Sequence, residues 1–136
     1  MLNSRQSQVG ATLWSWYLDQ GRDLPWRVAP GDQPPSDHAY RVLVSEIMLQ
    51  QTTVATVLSR YGPFLERFPT IQSLAQASAD DVRDAWAGLG YYRRAGLLQA
   101  CARAVVLDHG GEFPRQAAQL IKLPGLGPYT SAAIAS

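Results

Sequence analysis

Leu123-Pro124-Gly125-Leu126-Gly127-Pro128-Tyr129-Thr130-Ser131-Ala132-Ala133 joins two short helical patterns through a turn that only a few residue types can make. Gln116 to Lys122 predicts a short helix with Ala117, Leu120 and Ile121 on one face. Pro124 stops it, because proline lacks a backbone donor and disfavours helix at the residue before it. Gly125 and Gly127 allow positive φ and put no side chain between the backbone and a ligand. A second helix starts near Pro128, a favoured first-turn residue. Its free N–H groups and positive dipole end offer a site for an anion. This is the pattern of a helix-hairpin-helix, a device for gripping a DNA backbone. The plainer alternative is a helix-helix turn closed by a glycine.

Outward from the hairpin, the bulk numbers bound the rest. The chain has 136 residues, 46% hydrophobic and 17% charged, which suits one folded domain and argues against disorder. Net charge is only +1, so contact with nucleic acid must rely on local arginines and helix N-termini rather than on a global field. Eleven of the 12 basic residues are Arg; Lys122 is the only Lys. Arginine suits bidentate phosphate contacts. Cys101, the single cysteine, lies in the apolar stretch 97–107 and reads as core. One thiol makes neither an internal disulfide nor a four-thiolate cluster. The start is polar, without the apolar run of a signal peptide, and no apolar stretch is long enough to span a membrane. The expectation is a monomeric cytoplasmic protein of bacterial type that takes no metal through its own residues. The chain stops at Ser136 without a glycine or proline stop signal, and a truncated chain is expected, with Ala132, Ala133 and Ile134 lacking a following element to pack on.

Helical signals run through the chain. Residues 4–20 carry Val9, Leu13, Trp16 and Tyr17 at spacings of three and four, ended by Gly21. Residues 22–39 read as a long loop. Helices are predicted over 40–50, over 52–68 with a break near Gly62-Pro63, over 71–76, from Ser78 to the turn Gly88-Leu89-Gly90, and over 91–107. Ser78 is an N-cap with Asp80 and Asp81 in its first turn. No segment alternates as a strand does. The fold class is all-α, a truncated multi-helix orthogonal bundle.

Candidate chemistry sits at four places. Glu46 is the only Asp, Glu, Lys, Arg or His from Val42 to Ser59, among Val42, Leu43, Val44, Ile47, Met48 and Leu49. A helix so apolar should be buried, and burial favours the protonated carboxyl that general-acid chemistry needs. A surface Glu, or one paired with Arg41, is the alternative. Gln50 and Gln51, followed by Thr52, end that helix, with Gln50 one turn after Glu46; amides there can hydrogen-bond base edges. In Gly88-Leu89-Gly90-Tyr91-Tyr92-Arg93-Arg94, rings beside guanidinium groups can wedge into a base stack; the alternative, favoured for Tyr92, is core tyrosines and a solvated Arg pair. In Asp23-Leu24-Pro25-Trp26-Arg27, Trp26 reads as core and Arg27 as a phosphate, base or surface contact. His38 and His109 read as loop residues without metal-ligand spacing.

Four motifs stand in order: Leu24-Pro25-Trp26-Arg27, Ser45-Glu46-Ile47-Met48-Leu49-Gln50-Gln51-Thr52, Gly88-Leu89-Gly90-Tyr91-Tyr92 and Leu123-Pro124-Gly125-Leu126-Gly127-Pro128-Tyr129-Thr130. Together they resemble the A/G-specific adenine DNA glycosylase (MutY) family of the helix-hairpin-helix superfamily, over essentially the whole chain. The resemblance implies an N-terminal part of the catalytic domain, hairpin at about 116–136, acting on double-stranded DNA with an adenine·8-oxoguanine or adenine·guanine mispair. Such enzymes flip the adenine out. Glu46 matches the glutamate that protonates adenine N7. Gln50 and Gln51 match residues beside the flipped-out site, and Tyr91 matches the tyrosine that intercalates next to 8-oxoguanine. Tyr129 matches a hairpin residue lining the active site, and Arg27 matches an active-site-proximal basic or polar residue. Thr52, Leu123, Gly125, Gly127 and Thr130 fall within the DNA-contacting motifs.

The same resemblance marks departures. The endonuclease III branch has a lysine nucleophile where this chain has Tyr129, so a monofunctional glycosylase is implied. The family's catalytic aspartate, the cysteines of its 4Fe-4S cluster and its C-terminal 8-oxoguanine-recognition domain lie beyond Ser136. The loop from Arg27 to Tyr40 is longer than usual and Leu43 replaces a common aromatic. The chain alone is expected to be inactive or nearly so. Two other readings stand beside this one: a non-catalytic DNA-binding module and a bifunctional glycosylase/lyase.

Overall fold

Apolar residues at helical spacing turn most of the described residues into short helices that can be stable only by packing on one another. The structure, a computed structural model, describes residues 37–50 and 52–135. The predicted helix over 4–20, the motif around Trp26 and Arg27, and Gln51 lie outside the described residues. Among the described residues seven helices follow in order: α1 (His38–Leu49), α2 (Val54–Arg67), α3 (Ile71–Gln76), α4 (Ala79–Ala85), α5 (Arg93–His109), α6 (Ala117–Leu120) and α7 (Pro128–Ala135). No strand occurs among the described residues, so the all-α expectation holds there.

Local signals set most of the starts. Thr53 caps α2 by accepting from Thr56 N–H at 3.3 Å. Thr70 and Ser73 form a reciprocal capping box on α3, at 3.1 and 3.0 Å. Ser78 accepts from Asp81 N–H at 3.1 Å at the start of α4. Gly110, at φ 64°, closes α5 in the left-handed conformation.

Tertiary packing overrides other signals. α2 runs unbroken through Gly62 and Pro63, against the expected break. Both residues are exposed, as is Ser59, whose carbonyl loses the N–H of residue 63. Val57, Tyr61 and Phe64 on the other face are buried, and that burial outweighs the proline's cost. His38 and His109 belong to α1 and α5 rather than to loops.

α5 is the spine, packed against α3, α4 and α1. Its Leu98, Cys101, Ala102 and Val105 are fully buried or nearly so. Its buried Gln99 donates to the carbonyls of Leu74 and Ala77, at 3.2 and 2.7 Å, and so satisfies the end of α3. Phe64 stacks edge-on to Trp86 at 6.0 Å. α7 lies against α1 and α6. Ile134 is buried at 8% exposure, so it has a partner after all, while Ala132 remains exposed.

Candidate active site

α1 is the helix that carries Glu46. Tyr40, Leu43, Val44, Ser45, Ile47 and Met48 are all buried, and Glu46 is half-buried among them. Burial pushes the Glu46 carboxyl above its ordinary value. No cation offsets this among the described residues: Arg41 pairs with Asp37 at 2.9 Å instead. Among the described residues Glu46 is therefore a desolvated acid without a salt-bridge partner, the state sought for a proton donor.

α1 ends one residue earlier than its sequence suggests. Gln50 is extended, at φ −65° and ψ 117°, and exposed. It leaves the helix instead of continuing the face of Glu46, and its side chain is free to meet a ligand. Thr52 is tied inward: its hydroxyl lies 2.9 Å from Arg94 Nη2 and 3.5 Å from the Leu89 carbonyl.

The Gly88-Leu89-Gly90 turn abuts this point. Gly88 and Gly90 have φ of 92° and 71°. Leu89 is buried, Trp86 Nε1 donates to Gly90 O at 3.0 Å, and Arg60 donates to Ala87 O. Tyr91 is not the helix residue expected. It precedes α5 at φ 48°, the only non-glycine residue with positive φ among the described residues, and is 61% exposed. A bulky residue there stores strain, a frequent mark of a functional position. Tyr92 is also exposed, with the Arg83 guanidinium 5.2 Å from its ring centroid, which overturns the core reading.

Arg94 is the residue the sequence reading missed. Neither a guanidinium offered with Arg93 beside the wedging rings nor the alternative of a solvated pair describes it: it is 8% exposed. Its Nη1 donates to the carbonyls of Ile47 and Met48 at the end of α1, and its guanidinium lies over Trp86 and Tyr91. Desolvation lowers its pKa from the ordinary Arg value. The signal for it is the spacing Arg94, Leu98, Cys101, which puts it on the inner stripe of α5.

The hairpin forms as expected, with refinements. α6 is a single turn; Leu120 is buried but Ala117 and Ile121 are exposed, so the predicted three-residue face does not exist. Leu120 instead buries with Leu123 and Leu126. Gly125 has φ 76°, and a Cβ there would sit 3.1 Å from Leu97 Cβ. Gly127 does not have positive φ, and a Cβ there would meet nothing within 4 Å. Leu123 and Thr130 are buried, so DNA contact from them is open only through the backbone. Tyr129, on the first turn of α7, is 88% exposed.

The residues present do not fit the cluster that the resemblance implies. Cys101 is the single cysteine of the sequence. It is fully buried, with its thiol pushed up to about 12. A 4Fe-4S cluster needs four thiolates.

The HhH-GPD model, a superfamily of base excision DNA repair proteins, matches residues 44–134. The adenine DNA glycosylase of Homo sapiens is 52% identical over 127 residues, which are 92% of this chain and 23% of that protein. The adenine DNA glycosylase of Mycobacterium tuberculosis (strain ATCC 25618 / H37Rv) is 45% identical over 123 residues, 90% of this chain and 38% of that protein. The chain thus spans well under half the length of these curated relatives. A thermostable thymine-DNA glycosylase superposes with a TM-score of 0.73 at 29% identity, covering 96% of this chain and 57% of that one. Endonuclease III, trapped as a covalent intermediate with DNA, gives 0.69 at 20% identity over 98% of this chain and 60% of the other, a likeness of fold alone. The match spans both the Glu46 helix and the hairpin, and the chain belongs to the HhH-GPD superfamily of base excision DNA repair proteins.

Proposed function

We propose that the chain carries the glutamate-bearing part of an adenine DNA glycosylase that hydrolyses the N-glycosidic bond of adenine opposite 8-oxoguanine or guanine. The observation that carries the reading is Glu46, a desolvated carboxyl without a cationic partner among the described residues, on a helix whose end accepts from Arg94, which also holds Thr52 beside the Leu89 carbonyl of the Gly88–Tyr92 turn. Glu46 donates its proton to N7 of the flipped adenine. The base leaves as neutral adenine with the electron pair of the broken N-glycosidic bond, water supplies the hydroxyl that ends on the sugar, and the water's remaining proton restores the acid at the Glu46 carboxylate. Tyr91 enters the base stack beside the mispair, and Gln50, with Gln51, meets the space left by the flipped base. The backbone of the Gly125–Tyr129 hairpin and the first turn of α7 hold a phosphate.

The reaction stops at base removal. Tyr129 stands where the lyase branch places its lysine, and Lys122 lies on the far side of the hairpin turn. A covalent cut would need a lysine amine as nucleophile. The names of the curated relatives support the adenine assignment. The chain covers less than half of each, so full activity is assigned to the chain continued to their length, and the 136 residues alone are expected to be nearly inactive. No cofactor is assigned to residues of this chain.

The test is product analysis on duplexes holding adenine opposite 8-oxoguanine, guanine or thymine, using the chain and a version continued to the relatives' length, with borohydride present. Free adenine from the first two duplexes and no trapped adduct is the expected result. A trapped adduct would establish the glycosylase/lyase reading. Salt-dependent duplex binding with no release and no preference for the mispair would establish a binding module.

A further inference from the structure

Among the described residues, Arg94 is the only charged side chain that is buried, and no carboxylate pairs with it. A buried guanidinium is costly unless its charge is met by aligned acceptors. Here the acceptors are the carbonyls of Ile47 and Met48, at the negative end of the α1 dipole. The second amino group reaches Thr52 Oγ1 at 2.9 Å, and that hydroxyl faces the Leu89 carbonyl at 3.5 Å. On the other side the guanidinium carbon is 5.5 Å from the centroid of the strained, exposed Tyr91 ring and 5.6 Å from Trp86. Its Nε has no hydrogen-bond partner among the described residues. One planar group therefore touches the end of the acid's helix, the Thr52 bend and the turn that presents Tyr91. A lysine could not bridge all three, because its donors spread from a single point.

We propose that Arg94 is a positioning residue that locks the Gly88–Tyr92 turn to the C-terminal end of α1, so that the Tyr91 wedge and the Glu46 acid are held in one fixed relation. The proposal rests on the glycosylase reading above for its consequence in catalysis, but the lock itself is a property of the folded chain. When Tyr91 enters a stack, α1 is carried with it and Glu46 keeps its place against the displaced base. Without the lock, the turn and the helix end move independently.

Two readouts test it, on Arg94→Met and Arg94→Lys. The first is amide hydrogen exchange on the chain itself. In Arg94→Met, the amides of Gln50, Thr52, Leu89 and Arg94's own position are expected to exchange faster together, by about tenfold or more, while amides of the α5 core from Gln99 to Val105 keep wild-type rates. A uniform rise throughout the chain, or a rise in only one of the two segments, would overturn the lock. The second is single-turnover adenine release by the chain continued to the relatives' length. Arg94→Met is expected to lose about 10- to 100-fold in rate, the scale of a misplacement near 1 Å, with duplex affinity within about threefold and partial rescue in Arg94→Lys. A rate within about twofold of wild type would overturn the role in positioning Glu46. If the unsubstituted protein releases no adenine, the glycosylase reading fails while exchange still decides the lock.

Discussion

Gly125 and Gly127 sit two residues apart in one hairpin, yet replacing each by alanine should do opposite things. Gly125 holds φ 76°, and an alanine Cβ would stand 3.1 Å from Leu97 Cβ on α5. The left-handed backbone alone costs a non-glycine residue roughly 1–2 kcal/mol, and the tight contact adds to it because Leu97 Cβ sits on a helix backbone that gives little. A loss of about 2 kcal/mol is expected, which in a domain of this size lowers Tm by roughly 6–12 °C. Gly127 lacks both features: its φ is not positive, and an alanine Cβ there meets nothing within 4 Å. Gly127→Ala should leave Tm unchanged or raise it slightly, since fewer unfolded conformers are lost, worth about 0.4–1 kcal/mol. If the open space beside Gly127 is where the DNA backbone approaches, that variant should nonetheless lose about tenfold or more in duplex affinity, the scale of one lost charge-assisted contact. Thermal unfolding followed by circular dichroism, with duplex titration at fixed salt, measures both. Equal Tm losses in the two variants, or wild-type affinity in Gly127→Ala, would refute this division of labour.

Three further outcomes are expected. Because burial holds the Glu46 carboxyl above its ordinary value, the folded chain binds that proton more tightly than the unfolded one. Stability should therefore fall as pH rises from about 4.3 through the raised value. Glu46→Gln should remove that fall and be the more stable protein at pH 7.5, as read by urea unfolding; an unchanged pH slope would contradict it. Tyr91→Gly relieves a left-handed tyrosine but gives up its contact with Arg94. The terms are each about 1 kcal/mol, so stability should stay within about 0.5 kcal/mol while preference for the mispaired duplex disappears; a preserved preference would argue against the wedge. Trp86→Phe forfeits the indole bond to Gly90 O and part of a fully buried ring, and guanidinium titration should show a loss of about 1–3 kcal/mol.

What was legible in the sequence followed from strong local rules. Ser78 before Asp80 and Asp81 marks a helix start, and Pro128 the second hairpin helix. The apolar run around Glu46 foretold a desolvated carboxyl. What was hidden depended on tertiary contact. Pro63 looked like a break because its cost is local, while the burial of Val57, Tyr61 and Phe64 that offsets it is not. Arg93 and Arg94 look alike as letters, yet only the second falls on the inner stripe of α5 beneath the end of α1. Tyr91 read as the start of a helix because nothing in its type signals a left-handed backbone; the turn Gly88-Leu89-Gly90 imposes it. Gly127 needed no positive φ, so its identity points to space for a ligand rather than to the turn.

The most direct measurement is single-turnover adenine release from an adenine·8-oxoguanine duplex, comparing wild type with Glu46→Gln in the chain continued to the length of its relatives. A general acid is worth roughly 10²–10⁴-fold, so release should fall by that factor while duplex affinity stays near wild type. A fall of less than about tenfold would contradict the assignment of Glu46 as the proton donor.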